Sequence, residues 1–199
     1  VQLGADWRVE FKNGCETTLD KWISRFGLSK HAGNKVFMLN IDNTQDEEEY
    51  RIYTAKDKLE VWAGSQKGLD YAFKTLWQIS PEGLIPTGYI EDKPSLNIRG
   101  FHINFDSFRQ MDVEEAIYAI KTAADLKLNT ILLEYGNRFP YKDHEPIAVS
   151  TILGREDIQR LVDTTRDYDM TIIPLQKAIG HLDYMLWDPK VLKYIKLGG

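Results

Sequence analysis

IRGFHINF (98–105), NTILLEY (129–135) and TIIPLQ (171–176) are apolar runs of strand length in the second half of this chain. Between them lie VEEAIYAIKTAADL (113–126) and REDIQRLVDTTRDY (155–168), which have the length and composition of helices. Strands that alternate with helices of this length predict a parallel sheet, and both faces of a parallel sheet must be covered. The second half of the chain is therefore predicted to have an α/β fold.

The length of the chain limits how far this alternation can continue. A closed barrel of eight strand–helix units needs about 250 residues, whereas residues 93–199 hold three such units. We therefore predict that this part forms the first three βα units of an incomplete TIM (β/α)8 barrel. Because an incomplete barrel has an unpaired strand edge and an uncovered apolar face, we expect it to self-associate or to need a partner.

The first half of the chain predicts a small α+β domain. KVFMLNI (35–41), EYRIYTA (49–55) and KLEVWAG (58–64) carry strand-type residues, and Lys56-Asp57 predicts a tight turn that joins the last two into a hairpin. GLDYAFKTLWQI (68–79) places apolar side chains at helical spacing, which predicts a helix lying on that sheet.

A boundary between the two parts is predicted near residue 92. PTGYIEDKPS (86–95) contains two prolines and a glycine, a composition typical of a linker. We accordingly divide the chain into a small α+β domain, residues 1–92, and the start of a barrel, residues 93–199.

Composition excludes several classes of function. The net charge of −5 gives no electrostatic footprint for nucleic acid, and no apolar run reaches the roughly 20 residues of a membrane span.

Cys15 is the only cysteine, and His31, His102 and His144 lack the spacing of metal ligands. Since a Gly-rich phosphate loop is also missing, we expect no cofactor. Nothing in the sequence indicates the cellular compartment.

The barrel prediction selects a short set of candidate site residues. Active sites of βα barrels form at the carboxyl ends of the strands. The residues at those positions are Asn104, Asp106, Glu134, Tyr135, Asn137, Gln176, Lys177, Gly180 and His181. Each has a structural alternative: Glu134 could pair with a basic side chain, and His181 could cap the next helix. Arg99, near the start of a strand, is by itself a weak signal.

From about residue 45 onward the chain resembles glycoside hydrolase family 20, the β-N-acetylhexosaminidases. Residues 48–79 are similar to the small domain of that family, and residues 92–105 to its entry into the first barrel strand. LKLNTILLEY (126–135) and IIPLQKAIGH (172–181) are similar to its second and third strands. Leu-x-Glu-Tyr followed by Phe-Pro-Tyr (139–141) resembles the hexosaminidase D-like branch.

The resemblance implies the removal of terminal N-acetylglucosamine or N-acetylgalactosamine from a glycan by a substrate-assisted, retaining mechanism, an exception to the scheme with two carboxylates. The 2-acetamido oxygen of the sugar attacks the anomeric carbon, one carboxylate orients that group, and a neighbouring Glu protonates the leaving oxygen. In the family this Asp-Glu pair ends the fourth barrel strand, which we expect beyond residue 199. The 199-residue chain alone is therefore predicted to be inactive.

The resemblance also implies roles for four residues of this chain. Arg99 matches a sugar-binding Arg, and His181 matches a loop His that assists the acid and partners an Asp. Asn137 stands in place of that Asp, and an amide can orient a His but cannot stabilise its cationic form as a carboxylate would. Glu134 is predicted to bind substrate or to take over that role.

Two other functions fit the same sequence. One is a non-catalytic carbohydrate-binding or assembly module with a degenerate family 20 fold, which the Asn at position 137 favours. The other is a hydrolase similar to O-GlcNAcase, a family with a similar leading domain. That family usually has consecutive Asp residues on its fourth strand, and the Gly180-His181 loop argues against it.

Overall fold

The computed structural model describes residues 1–13, 19–80, 83–105, 111–142 and 153–182. The chain forms two compact units, Val1–Asn97 and Ile98–Gly199. Of the residues singled out above, Cys15, Asp106 and His144 lie outside the described residues. Each unit is built around its own sheet and its own hydrophobic core.

The first unit contains a mixed five-stranded sheet. Its strands are β1 Trp7–Lys12, β2 Lys35–Ile41, β3 Tyr50–Ala55, β4 Lys58–Ala63 and β5 Gly88–Asp92, in the order β1-β2-β4-β3-β5. β2 runs parallel to β1 and β4, whereas β3 runs antiparallel to β4 and β5. The three predicted strands and the hairpin at Lys56-Asp57 are confirmed. The sequence analysis missed β1 and β5.

The prediction of a linker at residues 86–95 is wrong. Gly88–Asp92 forms the edge strand β5 and pairs with β3, with Tyr53 opposite Tyr89 and Tyr50 opposite Asp92. Pro86 and Pro94 lie just outside this strand, where the missing N–H groups break no ladder hydrogen bond. Proline and glycine therefore bound a short edge strand here, and the division between the two units falls after Asn97.

Two helices, α1 Asp20–Arg25 and α2 Gln66–Gln78, contribute to the core of the first unit. Ser65 caps α2, its hydroxyl accepting hydrogen bonds from the N–H groups of Lys67 and Gly68. The predicted apolar stripe of α2 is confirmed, since Leu69, Ala72, Phe73 and Leu76 are fully buried. Trp22 of α1 stacks on Phe73 with the ring centroids 5.8 Å apart. These contacts give the unit a continuous core on one face of its sheet.

The second unit has the predicted α/β fold. Its parallel strands are β6 Gly100–Asn104, β7 Thr130–Glu134 and β8 Thr171–Leu175, in the order β6-β7-β8, and its helices are α3 Val113–Asp125 and α4 Arg155–Asp167. All five elements were predicted from the sequence. Asp112 caps α3 in a capping box with Glu115.

The two faces of the parallel sheet differ in burial. Alternate residues such as Ile103, Ile131 and Leu133 are buried and belong to the same core as residues of α3 and α4. The side chains between them, including His102 and Ile173, point to the other face and are exposed. The described helices therefore cover one face of this sheet.

Neither a membrane span nor a metal cluster occurs in the described part of the chain. None of its helices is long and apolar enough to cross a bilayer. Within the same residues, no group of three or more His, Cys, Asp or Glu side chains could hold a metal ion.

Candidate functional site

Glu134 is the last residue of β7 and the centre of a polar cluster at the carboxyl end of the parallel sheet. Its carboxylate is buried, although the strand ends beside it. His102 of β6 brings Nε2 to 2.9 Å from Glu134 Oε2, and Lys177, just past β8, brings Nζ to 3.0 Å from Oε1. One carboxylate thus connects residues from all three strands.

The contact between Lys177 and Glu134 is an ion pair without a well-directed hydrogen bond. In the described structure Glu134 Oε1 accepts no hydrogen bond, even though Lys177 Nζ lies 3.0 Å away. The distance supports a Coulomb attraction, whereas the direction of the donor is poor for hydrogen bonding. Glu134 Oε1 consequently keeps capacity to accept a donor from a bound molecule.

Asn137 is the second buried polar group of this edge. It lies in a turn of 3-10 helix, Gly136–Arg138, directly after β7, and its side chain is 3% exposed. Gly136 has a φ of +53°, a conformation that favours glycine. Asn137 Oδ1 has no hydrogen-bond partner in the described structure. A buried amide oxygen without a donor costs free energy, which a ligand hydroxyl or amide N–H could recover.

Aromatic side chains fix the loop that carries Asn137. Tyr135, Phe139 and Tyr141 form a continuous series with successive ring centroids 5.0 Å apart. The hydroxyl of Tyr141 donates a 2.6 Å hydrogen bond to Oε1 of Gln176, which follows β8. Burial raises the pKa of Tyr135 above its ordinary value. The loops after β7 and β8 are therefore linked side by side.

Arg138 ties the same loop to the segment before α3. Its Nη1 donates to the carbonyl oxygen of Met111 at 3.2 Å, and the guanidinium lies 5.7 Å from the ring centre of Phe105. The N–H of Leu153 in turn donates to the carbonyl oxygen of Arg138 at 2.8 Å. Arg138 thus supports the loop, and the charge beside Asn137 is directed toward backbone and an aromatic ring.

Arg99 does not lie with the other candidate residues. It immediately precedes β6, at the amino end of the sheet, whereas Glu134 ends β7 at the carboxyl end. Its Nε donates to the carbonyl oxygen of Lys127 at 3.1 Å, and its N–H donates to Asn129 Oδ1 at 2.9 Å. Because the strand separates the two ends by about 3.3 Å per residue, Arg99 lies apart from this edge, and the sugar-binding role expected for it stays a prediction.

His181 is exposed and takes a positive φ of 56° in the segment that follows β8. In the described structure Asn137 Oδ1 receives no hydrogen bond from it, so the pairing implied by the resemblance is not formed. Asn104, by contrast, lies directly opposite Glu134 in the register of β6 and β7. The structure therefore groups Asn104, Glu134, Asn137 and Lys177 at one edge, with His181 outside their contacts.

His102 was not predicted as a site residue. Its spacing argued against metal binding, yet its Nε2 contacts the carboxylate of Glu134. The alternation of strand side chains contained the missing signal, because residues 102 and 104 of β6 must share a face. That face also carries Glu134, whose neighbour in the register is Asn104.

The chemistry of this edge suits an uncharged ligand that donates hydrogen bonds. Glu134 and Asn137 offer buried acceptor oxygens, and Lys177 balances the charge of the carboxylate. Such acceptors bind hydroxyl and amide donors, and they discriminate strongly against analogues that lack them. Polyhydroxylated molecules such as sugars have these donors.

Comparison with known proteins identifies distant relatives of this chain. Residues 15–93 match the family model described as glycosyl hydrolase family 20, domain 2. Lacto-N-biosidase of Bifidobacterium bifidum is 22% identical over 142 residues, which are 70% of this chain and 13% of that protein. The chain is thus distantly related to family 20 glycosidases and spans a small part of this curated relative.

Solved structures of family 20 enzymes share the fold of the chain. The β-N-acetylhexosaminidase of Streptomyces coelicolor matches with a TM-score of 0.76 and 19% identity over 94% of this chain and 45% of that one. The β-N-acetylhexosaminidase of Bacteroides fragilis matches with a TM-score of 0.72 and 19% identity, over 96% of this chain and 44% of that one. The exo-β-N-acetylglucosaminidase of Vibrio harveyi was solved with N-acetylglucosamine. It matches with a TM-score of 0.70 and 19% identity, over 100% of this chain and 37% of that one.

Proposed function

We propose that this chain supplies the small domain and the first three barrel strands of a family 20 β-N-acetylhexosaminidase of the hexosaminidase D-like pattern. Its substrate is a glycan that ends in N-acetylglucosamine or N-acetylgalactosamine. The match of residues 15–93 to the second domain of that family supports the proposal, as do the solved enzymes that share the fold. The order of the three parallel strands agrees with the start of a barrel.

The observation that carries the proposal is the pair of buried acceptors at the carboxyl edge. Glu134 Oε1 and Asn137 Oδ1 both lack a hydrogen-bond donor in the described structure. In our proposal they accept hydrogen bonds from hydroxyl groups of the terminal sugar, while Lys177 and His102 hold the carboxylate in place. The sugar then replaces the hydration that burial has removed.

The reaction that we propose is substrate-assisted hydrolysis with retention at the anomeric carbon. The acetamido oxygen of the sugar is the nucleophile, and Glu134 and Asn137 fix the ring against the carboxyl edge of the sheet. We assign the general acid and its neighbouring carboxylate to a further barrel strand, outside the described residues. His181 stays a proposed supporting residue, and substrate would have to draw this exposed side chain inward.

A specific observation also favours a second function, non-catalytic binding of the same sugar. Position 137 carries an amide where the resemblance implies a carboxylate, and that amide is buried and well supported by its loop. An amide can bind a hydroxyl but cannot stabilise a cationic His. In that case the chain binds the sugar without supporting its hydrolysis.

Binding of N-acetylglucosamine to the purified 199-residue chain tests the proposal. We expect a saturable signal by saturation-transfer NMR, weakened at least about tenfold in Asn137→Ala and Glu134→Gln, because each change removes or weakens a buried acceptor. Glu156→Gln is the matched control, since Glu156 is an exposed carboxylate in the first turn of α4. Undetectable binding, or equal binding by all variants, would contradict the sugar site.

Hydrolysis is a separate measurement. The isolated chain should not release p-nitrophenol from an aryl N-acetyl-β-glucosaminide, because the proposal places the acid on another strand. A protein that includes the further strands should release it with retention, and should not act on the corresponding β-glucoside, which lacks the acetamido group. Sugar binding without any hydrolysis by that longer protein would establish the non-catalytic function instead.

A further inference from the structure

A group of exposed aromatic side chains lies on the face of the five-stranded sheet opposite its core. Tyr53 of β3, Trp62 of β4 and Tyr89 of β5 are 44%, 37% and 58% exposed. The alternate residues of the same strands, such as Ile52 and Val61, are fully buried against the helices. The three rings therefore stand on the side of the sheet away from the core.

The strand register brings these side chains together. Tyr53 lies directly opposite Tyr89 on one neighbouring strand and opposite Glu60 on the other. Arg51, two residues before Tyr53, lies opposite Trp62. Neighbouring strands are about 4.8 Å apart, so Tyr53 and Tyr89 are adjacent and Trp62 is a diagonal neighbour of Tyr53. We call Tyr53, Trp62 and Tyr89, with the polar side chains between them, the aromatic face.

Ion pairs hold the polar side chains of the aromatic face. Arg51 Nε donates to Glu91 Oε1 at 3.0 Å, and its Nη2 donates to Glu49 Oε1 at 3.0 Å. The hydroxyl of Tyr89 donates to Glu91 Oε2 at 3.0 Å, and Lys58 Nζ lies 2.9 Å from Glu60 Oε1. The bond to Glu91 orients the ring of Tyr89, and the ion pairs leave partly exposed hydrogen-bonding groups of Arg51, Glu60 and Glu91 beside the rings.

We propose that the aromatic face binds a β-linked glycan chain, at a site separate from the carboxyl edge of the parallel sheet. Pyranose rings with equatorial substituents have a flat C–H surface that stacks on an aromatic ring, and their hydroxyls reach the polar groups alongside. Tyr and Trp suit this task because each combines a large apolar body with a polar tip. The row of rings across strands fits an extended chain better than a single sugar.

The charge of the aromatic face favours an uncharged glycan over other partners. Two cationic side chains, Arg51 and Lys58, stand beside the carboxylates of Glu49, Glu60 and Glu91. A face without excess positive charge does not attract nucleic acid or anionic lipid. Ion pairs also interrupt the apolar area, whereas the centre of a protein interface is depleted of charged residues.

Titration of the 199-residue chain with the β-1,4-linked hexamer of N-acetylglucosamine tests this inference. We expect the hexamer to bind through the aromatic face, and we expect Trp62→Ala and Tyr89→Ala each to weaken binding about tenfold. Trp62→Phe, which keeps a ring, should restore most of the affinity. Calorimetry gives the affinities, and circular dichroism verifies that each variant is folded.

Matched controls come from the same chain. Trp77 of α2 is 43% exposed and Tyr118 of α3 is 73% exposed, and neither lies on the aromatic face. Trp77→Ala and Tyr118→Ala should leave hexamer affinity unchanged. Equal losses in Trp62→Ala and Trp77→Ala, or no binding of the hexamer, would overturn the inference. So would a dimer that Trp62→Ala dissociates, since the occupant would then be a second copy.

The two sugar sites can fail independently. Glu134→Gln should weaken binding of the monosaccharide and leave binding of the hexamer to the aromatic face intact. If the affinity for the hexamer is unchanged in Trp62→Ala but falls in Glu134→Gln, the aromatic face is not a glycan site and the carboxyl-edge site stands. If Trp62→Ala weakens binding of the hexamer while Glu134→Gln changes binding of neither sugar, the carboxyl-edge site is contradicted and the aromatic face stands.

Discussion

The two units of this chain differ in the side chains that their sheets expose to water. In the first unit, α1 and α2 contribute to a core on one face of a mixed sheet, and the other face carries polar and aromatic side chains. In the second unit, α3 and α4 belong with one face of a parallel sheet, while His102 and Ile173 on the other face are exposed. A mixed sheet can present one face to water, whereas a parallel sheet is normally covered on both.

This difference shows where to look for function in each unit. The exposed face of the first sheet carries polar and charged side chains, and its charges are arranged in ion pairs. The exposed face of the second sheet bears an aliphatic side chain, Ile173, and a buried carboxylate at its edge. The second unit therefore combines an exposed aliphatic side chain and a buried, ion-paired carboxylate on one face of its sheet.

The largest expected effect contrasts the closed core with the open face. Phe73→Ala removes a fully buried ring that contacts Trp22, Phe26 and Phe37, and should lower the free energy of unfolding of the first unit by about 4 kcal/mol. Ile173→Ala, on the exposed face of the parallel sheet, should change the free energy of unfolding of the second unit by less than about 0.5 kcal/mol. Urea unfolding followed by hydrogen exchange reports each unit separately. Comparable losses at both positions would mean that the second sheet is covered.

The second prediction concerns Asp70, a carboxylate of the first unit whose side chain is 22% exposed. It accepts a 2.7 Å hydrogen bond from Trp22 Nε1 and pairs with Lys74 at 2.7 Å and with Lys21 at 2.9 Å. Lys74 is 3% exposed, so Asp70→Asn leaves a buried cation without its carboxylate. We expect a loss of about 3 kcal/mol at pH 7. The exposed pair of Asp20 and Lys30 provides the control, since Asp20→Asn should cost less than about 0.5 kcal/mol.

The effect of Asp70 should depend on pH in a definite direction. Burial raises the pKa of Asp70, but the opposing charges of Lys74 and Lys21 outweigh burial and place it below the ordinary value of 3.8. A carboxylate whose pKa is lower in the folded state stabilises the fold above pH 3.8, and that stability disappears as the pH falls through the lowered pKa. The difference between wild type and Asp70→Asn should therefore narrow under acidic conditions. A difference that grew on acidification would contradict this assignment.

Much of the fold was predictable because its signals are local. The strands β2, β3 and β4 and the elements of the second unit have continuous apolar runs or helical periodicity, and all were predicted. β5 was missed because GYIED is short and flanked by Pro86 and Pro94, so its turn residues dominated the pattern. Only its pairing with β3, a long-range contact, reveals it as a strand.

The candidate site was predictable in its location and less so in its contacts. The rule that barrel sites lie at carboxyl ends selected Glu134, Asn137 and Lys177 from sequence alone. The alternation of side chains along β6 indicates which face carries His102, but its contact with Glu134 also depends on β6 lying beside β7, which is a fact of topology. The sugar-binding role expected for Arg99 stays a prediction, because the resemblance alone does not say at which end of a strand that side chain acts.

The smallest expected effect concerns the open face of the parallel sheet and tests self-association. Within the described residues β6 and β8 are the edge strands, and the exposed Ile173 lies opposite the half-buried Leu132 of β7. Burying this face against a second copy would remove apolar area from water, so Ile173→Lys should weaken self-association about tenfold, or about 1.4 kcal/mol. Sedimentation velocity over a range of concentrations measures it, with Tyr118→Lys as the control for an exposed apolar side chain on a helix. If the wild-type chain stays monomeric at high concentration, or if both variants behave alike, the open face does not drive association and the difference between the two units has no consequence for assembly.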